Sequence, residues 1–195
     1  MDETLPFTAG YTTPQPVRWS QDGQALYFTN LPHFDGCAVF ANGQTLQRLD
    51  LKTGQVTPIM PKVGSVLSLS PDERMVAYIL DGQPPVLVLR FTSTGAEEKV
   101  SLPVQDPDTQ AGSLAWSENG NVLVLTMAVH PCDAERWLHS IVRVDVGPLT
   151  QKTLVSNSRQ YLRTVGWMGS ATLRVEEGQG NFILMDALTG GSPAK

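Results

Sequence analysis

The fold of this chain is decided by the stretch Val17-Arg18-Trp19-Ser20-Gln21-Asp22-Gly23. Related stretches follow at Leu67-Ser68-Leu69-Ser70-Pro71-Asp72-Glu73, Leu114-Ala115-Trp116-Ser117-Glu118-Asn119-Gly120 and, in a degenerate form, Val165-Gly166-Trp167-Met168-Gly169. Their aligned positions 19, 69, 116 and 167 lie 50, 47 and 51 residues apart. A nearly constant period of this length is typical of one blade of a β-propeller. The period therefore predicts four similar, consecutive units.

Each unit contains short apolar runs that are bounded by turn residues. In the first unit, the run 25–29 follows the turn, the run 46–51 comes next, and the run 55–60 returns after Gly54. Short runs rich in branched and aromatic residues, separated by Gly, Pro, Asp or Asn, are typical of strands. Serine and aspartate side chains favour the first turn, and Gly23 adopts a positive φ easily. Because Glu73 replaces this glycine in the second unit, we expect a less strained turn there.

These features predict an all-β fold, a β-propeller of four four-stranded antiparallel blades. The predicted blades form one domain, residues 1–195, and they cover residues 14–60, 64–104, 112–156 and 162–191. A β-sandwich would also contain successive short strands, but it does not explain the repeat. The aligned residues Trp19, Leu69, Trp116 and Trp167 are therefore interpreted as core residues between blades.

The fourth unit lacks a fourth run, because only Ser192-Pro193-Ala194-Lys195 follows Gly191. Residues 4–8 are long enough for a short strand. We predict that residues 4–8 pair with residues 182–187 and complete this blade, which would protect an open sheet edge. Closure within one chain gives a small four-bladed ring, and closure between two chains gives an eight-bladed homodimer. In the alternative, the chain is a fragment of a larger propeller.

The turn sequences Trp19-Ser20-Gln21-Asp22-Gly23 and Ser70-Pro71-Asp72 resemble the Trp-Ser-Pro-Asp-Gly repeat of TolB-like β-propellers. The same repeat occurs in the propellers that precede prolyl oligopeptidase-type serine peptidases. The resemblance covers residues 14–190 and implies blades of this type. The Trp-Asp and Gly-His elements of the related WD40-like repeats are absent. In the peptidase relatives, the nucleophile belongs to a separate hydrolase domain.

Composition and charge narrow the classes of partner. The 195-residue chain is 41% hydrophobic, which is enough for a sizeable core, and it carries a net charge of −5. We therefore expect no nucleic-acid binding and, without a long apolar run, no membrane insertion. Residues 1–4 do not resemble a signal peptide. The compartment stays open: cytoplasmic, or periplasmic or extracellular if an export signal was removed.

Two long connections hold the candidate site. The second and third runs are joined by short turns in units two and four, but by residues 30–45 and 128–140 in units one and three. A propeller places these connections on a common rim, where binding usually occurs. We predict that a protein or peptide partner contacts this rim. The candidate contact residues are Phe34, Asp35, His130, Trp137 and His139.

All three histidines and both cysteines of the chain also lie in these two connections. Such residues suit zinc or copper, but neither loop has the paired spacing of a metal site, so we predict no metal and no cofactor. The alternatives are a disulfide between Cys37 and Cys132 or ordinary loop residues. Without a Gly-x-Ser-x-Gly motif, or a nucleophile paired with a base and an oxyanion site, we expect no enzyme activity in this chain.

The sequence therefore predicts a soluble, non-catalytic scaffold that binds a protein or peptide partner through loops 30–45 and 128–140. In one alternative, the chain is an accessory or gating propeller domain of a peptidase-like enzyme. In another, it is a sensor domain for a metal or small ligand.

Overall fold

The computed structural model describes residues 13–31, 39–41, 43, 45–60, 66–80, 82–104, 106–178 and 180–192. These residues form strands and turns, with no helix among them. The first eight strands are β1 (Thr13–Trp19), β2 (Ala25–Leu31), β3 (Leu46–Asp50), β4 (Val56–Met60), β5 (Val66–Leu69), β6 (Met75–Leu80), β7 (Val86–Phe91) and β8 (Glu97–Ser101). The remaining strands are β9 (Thr109–Trp116), β10 (Val122–Val129), β11 (Leu138–Asp145), β12 (Thr150–Ser158), β13 (Leu162–Met168), β14 (Thr172–Glu177) and β15 (Phe182–Asp186).

The strands form four antiparallel sheets in chain order, which confirms the predicted four-bladed β-propeller. Blade 1 contains β1–β4, blade 2 contains β5–β8, blade 3 contains β9–β12 and blade 4 contains β13–β15. Blade 4 thus has three strands among the described residues, where we expected four. The chain turns after β15, and its described part ends at Ser192. The predicted closing strand, residues 4–8, lies outside the described residues.

The turn between the first two strands has the same hydrogen bonds in three blades. Ser20 Oγ donates to Asp22 Oδ1 at 2.6 Å and accepts from the amide of Ala25 at 2.8 Å. The corresponding trios are Ser70, Asp72 and Met75 in blade 2, and Ser117, Asn119 and Val122 in blade 3. Local side-chain bonds of this kind compete well with regular structure at turns. In these three blades, side chains of the turn itself therefore stabilise the hairpin.

Glu73 differs from the expectation of a less strained turn. Its φ is +63°, close to the +68° of Gly23. A side chain in this region of backbone space costs about 1 kcal/mol or more. The Glu73 carboxylate contacts blade 1, where it accepts hydrogen bonds from the amide of Gln21 at 2.7 Å and from the Tyr27 hydroxyl at 2.8 Å. These contacts between blades offset the local strain.

Three apolar clusters fill the spaces between successive blades. The cluster between blades 1 and 2 contains Tyr27, Leu46, Met60, Leu67, Leu69, Val76, Tyr78 and Val88. The cluster between blades 2 and 3 includes Ala77, Leu87, Leu89, Trp116, Leu123, Leu125 and Val142, and the one between blades 3 and 4 includes Val124, Ile141, Leu173, Val175 and Met185. Each fully buried Leu or Val side chain contributes about 1.5–3 kcal/mol of transfer free energy. Contact with a neighbouring blade is therefore the main source of stability.

The aligned repeat residues have different environments. Leu69 and Trp116 are core residues between blades, at 4% and 9% exposure, as predicted. Trp19 is 59% exposed, which corrects its predicted role as a core residue. It lies on the face of blade 1 that points away from blade 2. Because no described blade covers that face, the same local sequence leaves its tryptophan on the surface.

Candidate functional site

Both long connections reach the start of strand β9. In the first connection, the amide of Val39 donates to Gln110 Oε1 at 3.1 Å. In the second, the amide of His130 donates to the carbonyl oxygen of Asp108 at 2.9 Å. The described parts of the two connections therefore lie on one side of the propeller. We call this side the loop rim, and define it as residues 39–41, 82–85, 106–111 and 130–137.

The loop rim contains a cavity of about 330 Å³ between blades 2 and 3. Its wall includes apolar groups and four polar side chains. The lining residues are Phe40, Ala41, Val66, Ile79, Leu80, Gly82, Gln83, Pro85, Asp108, Thr109, Gln110 and Ala111. Phe40 is 6% exposed, so the first connection is anchored in the core. A Cβ atom at Gly112 would collide with the Phe40 side chain, and the absence of a side chain at 112 makes this anchoring possible.

A cluster of charged groups holds the second connection against β9. His130 Nδ1 lies 3.1 Å from Asp108 Oδ2, and His130 Nε2 lies 3.2 Å from Asp106 Oδ2. An Arg136 guanidinium nitrogen lies 2.7 Å from the same Nε2. When Nε2 carries a proton it donates to Asp106, and without that proton it accepts from Arg136. His130 thus fixes the loop to the edge of the cavity, beside the exposed carboxylate of Asp108.

Trp137, His139 and Tyr161 form an aromatic group between blades 3 and 4. The His139 ring centroid lies 4.8 Å from that of Trp137 and 5.1 Å from that of Tyr161. His139 is 1% exposed, and its Nδ1 is 3.0 Å from the carbonyl oxygen of Leu162. Because a carbonyl oxygen only accepts, Nδ1 carries the proton of this bond. In the neutral ring, Nε2 is then unprotonated and lies in the interior. A direct contact of His139 with a partner would require it to leave this position, whereas Trp137 is partly exposed.

We expect the stability of the protein to depend on the protonation of His139. Burial lowers the pKa of His139 below its ordinary value near 6.5, although its bond to Leu162 opposes the shift. As pH falls below about 6.5, the unfolded chain binds a proton that folded His139 rejects, so the free energy of unfolding decreases. Above this window, His139 contributes no pH dependence.

Urea unfolding of the protein and of His139→Gln at several pH values from 7.5 to 5 tests this expectation. The wild-type protein should lose more of its stability on acidification than the variant does. The native carboxylates with lowered pKa, such as Asp50 and Asp186, titrate at lower pH and cancel in the comparison. Parallel pH profiles for the two proteins would contradict this expectation, because they would mean that His139 has the same pKa in the folded and the unfolded state.

The remaining predicted site residues are only partly described. Phe34, Asp35, His33 and Cys37 lie outside the described residues. Cys132 is disulfide-bonded. Because the chain has two cysteines, the predicted pairing with Cys37 is the only one available within a single chain, and it stays a prediction. Within the described ranges, no group of three or more His, Cys, Asp or Glu residues could hold a metal ion.

Several rim residues were missed from the sequence. Phe40, Gln110 and Asp106 are neither scarce residue types nor members of the repeat, so nothing singled them out. The apolar pair Val39-Phe40 inside a long polar connection was the available signal, because such a pair favours a loop that returns to the core. The described part of the chain contains no helix with the length and apolar character needed to cross a membrane.

Comparison with known proteins gives structural likeness alone. No family model matches the chain, and no curated protein matches its sequence. An oligogalacturonate lyase in complex with manganese has a TM-score of 0.63 and 18% identity, over 88% of this chain and 49% of that chain. Dipeptidyl peptidase 4 from Porphyromonas gingivalis has a TM-score of 0.61 and 15% identity, over 94% of this chain and 32% of that chain.

A third similar structure is the dihydro-heme d1 dehydrogenase NirN, with a TM-score of 0.59 and 15% identity, over 94% of this chain and 36% of that chain. The chain thus spans between about a third and a half of the length of these three proteins. At such low identity, the likeness concerns the fold. The same propeller architecture occurs in proteins with different activities, as is common for this fold.

Proposed function

We propose that this chain is a non-catalytic, TolB-like propeller scaffold that binds an extended segment of a partner protein at the loop rim. The observation that carries this proposal is the 330 Å³ cavity at the place where both long connections meet β9. Loops on a rigid scaffold are common binding sites. Here the anchored Phe40 and the His130 cluster hold the described parts of both loops, which lowers the cost of ordering those parts on binding.

The size and chemistry of the cavity favour a peptide side chain. Its volume lies at the low end of the range for small-molecule sites, which is about 300–1,000 Å³. Phe40, Leu80 and Pro85 supply apolar contacts, while Gln83 and Asp108 stand at the edge with groups that can bond a peptide backbone. This arrangement suits one apolar side chain of the partner, flanked by backbone hydrogen bonds.

A second candidate function is an accessory domain of a larger enzyme. The observation in its favour is that the similar lyase and peptidase chains are two to three times longer than the part that this chain matches. In that case, the loop rim would face another domain and gate the access of substrate. A sensor for metals is less well supported, because Cys132 is disulfide-bonded and has no thiolate to offer.

Selection from a random-peptide library on the immobilised protein tests the binding proposal. We expect the selected peptides to share one apolar position and to bind in the micromolar range. Ala41→Trp fills the cavity from a partly exposed position, and it should weaken binding of the selected peptides by more than about tenfold. Isothermal titration calorimetry measures the change.

The matched control is Glu118→Arg, an exposed residue in the hairpin turn at the opposite end of β10. It should change the affinity by less than about twofold, because surface substitutions away from an interface are nearly neutral. The cavity would not be the binding site if the selected peptides shared no common position. The same conclusion would follow if they bound Ala41→Trp as tightly as the wild type. Binding that depends on a neighbouring enzyme domain would favour the second candidate function.

A further inference from the structure

One hydrogen bond recurs at two of the interfaces between blades. Trp116 Nε1 of blade 3 donates to the carbonyl oxygen of Ser68 in blade 2 at 3.2 Å. Trp167 Nε1 of blade 4 donates to the carbonyl oxygen of Ala115 in blade 3 at 3.1 Å. Ser68 and Ala115 each precede the aligned repeat position of their own blade by one residue. The same contact thus forms at both interfaces. The repeat tryptophan of one blade donates to a carbonyl oxygen of the preceding blade, and that carbonyl belongs to the residue before the aligned repeat position.

The first and the last blade each present one side of this interface, without a neighbouring blade among the described residues. Trp19 of blade 1 is the donor, and at 59% exposure it has no preceding blade among the described residues. The equivalent acceptor in blade 4 is the carbonyl oxygen of Gly166, the residue before Trp167. Gly166 lies on inner strand β13, opposite Arg174 of β14. Donor and acceptor are therefore presented at opposite ends of one chain.

The surroundings of Trp19 resemble those of a blade interface. Trp19 pairs with Leu26 across β1 and β2, Leu26 pairs with Leu49, and Leu49 pairs with Val56. Residues that face each other across a sheet point to the same side, so these four form an apolar row across all four strands of blade 1. Val56 and Trp19, the two ends of the row, are 47% and 59% exposed. Such a row is unusual on a free surface.

The outward face of blade 4 offers a partly apolar partner surface on which one acidic group is already paired. Phe182 and Leu184 are 46% and 47% exposed on this face. The Arg174 guanidinium lies 3.9 Å from the Phe182 ring centroid, and Glu176 is held in a 2.6 Å ion pair with Arg163. Because Glu176 and Arg163 neutralise each other, Arg174 is the one cation of this group that a covering surface would meet, and it lies against the Phe182 ring.

We propose that the outward face of blade 1 docks on the outward face of blade 4 of a second copy of this chain, with Trp19 Nε1 donating to the carbonyl oxygen of Gly166. The contact is head-to-tail, so two copies form it twice and close a ring. Two sets of four blades give eight, which is the upper end of the usual four to eight blades of a propeller. This inference is independent of the peptide site on the loop rim.

Sedimentation velocity of the 195-residue chain over a range of concentrations tests the association. We expect a species of twice the 21.2 kDa chain mass. Trp19→Ala should weaken the association by about 30-fold, as is typical of a tryptophan hot spot. Gly166→Arg should abolish it, and this variant should fold normally because a Cβ atom at Gly166 meets nothing within 4 Å. Glu118→Arg, which lies on neither face, should associate like the wild type.

Mixing two defective variants distinguishes a head-to-tail contact from a symmetric one. Trp19→Arg leaves the outward face of blade 4 unchanged, and Gly166→Arg leaves the outward face of blade 1 unchanged. Each variant alone should be monomeric, whereas the mixture should form one contact and show a weak heterodimer. A wild-type chain that stays monomeric at high concentration, or variants that dimerise unchanged, would overturn the proposal. A monomer with Trp19 shielded from a fluorescence quencher would instead indicate closure within one chain.

Discussion

Replacing Trp116 with alanine is expected to lower the free energy of unfolding by about 3–5 kcal/mol, the usual cost of removing a large aromatic side chain from a core. Trp116 is 9% exposed and belongs to the cluster between blades 2 and 3. Its indole also donates to the Ser68 carbonyl oxygen at 3.2 Å. The substitution therefore removes packing and leaves a partly buried acceptor without its donor. Urea unfolding followed by circular dichroism measures the change.

Two further variants separate the causes of this loss. Trp116→Phe keeps much of the ring but removes the donor, and we expect a smaller loss that includes about 1 kcal/mol for the hydrogen bond. Trp19→Ala changes the aligned residue of blade 1, which is 59% exposed, and should cost well under 1 kcal/mol in the monomer. Equal losses at Trp19 and Trp116 would contradict the assignment of one to the surface and the other to the core.

Replacing Cys132 with serine is expected to cost about 2–4 kcal/mol of stability and to loosen both long connections. Cys132 is disulfide-bonded, and a bond to Cys37 would close a loop of about 95 residues. In the chain-entropy account, a bridge across about 100 residues constrains the unfolded state by up to about 4.7 kcal/mol, and real bridges usually deliver less. Thermal unfolding of the oxidised protein and of the variant gives the difference.

Reduction of the wild-type protein provides the matched measurement for this prediction. Reduced wild-type protein and Cys132→Ser should unfold at similar temperatures, because both lack the bridge and keep all other contacts. The native oxidised chain should contain no titratable thiol, and peptide mapping should recover residues 37 and 132 in one linked fragment. Two reactive thiols in the native protein would refute the predicted pairing.

The repeat made the blades predictable from the sequence. Three of the four turns carry a serine and an acidic or amide residue at fixed positions, and their hydrogen bonds are local to the turn. Local interactions of this kind can be derived from a few neighbouring residues. The alternation of apolar and polar residues then determined which runs pair, so the order of strands in each blade followed.

The packing of the ends and the rim could not be derived in the same way. Trp19 and Trp116 have nearly the same local sequence, and only the presence of a neighbouring blade decides which one is buried. The contact of Val39 with Gln110 joins residues 71 positions apart in the chain. No local rule predicts where a long connection returns to the core. His130 is partly buried in an ion-pair cluster and His139 is fully buried between blades, and these different environments depend on tertiary contacts.

The dependence of each blade on its neighbours has a consequence for the motions of the native chain. Blades 2 and 3 are covered on both faces, while blades 1 and 4 are covered on one face by the described residues. In such a linear array, the free energy of local opening is a sum of nearest-neighbour terms. In the monomer, thermal fluctuations should therefore open the outer blades before the inner ones. The loop-rim cavity lies between blades 2 and 3, in the slowest-opening part of the molecule.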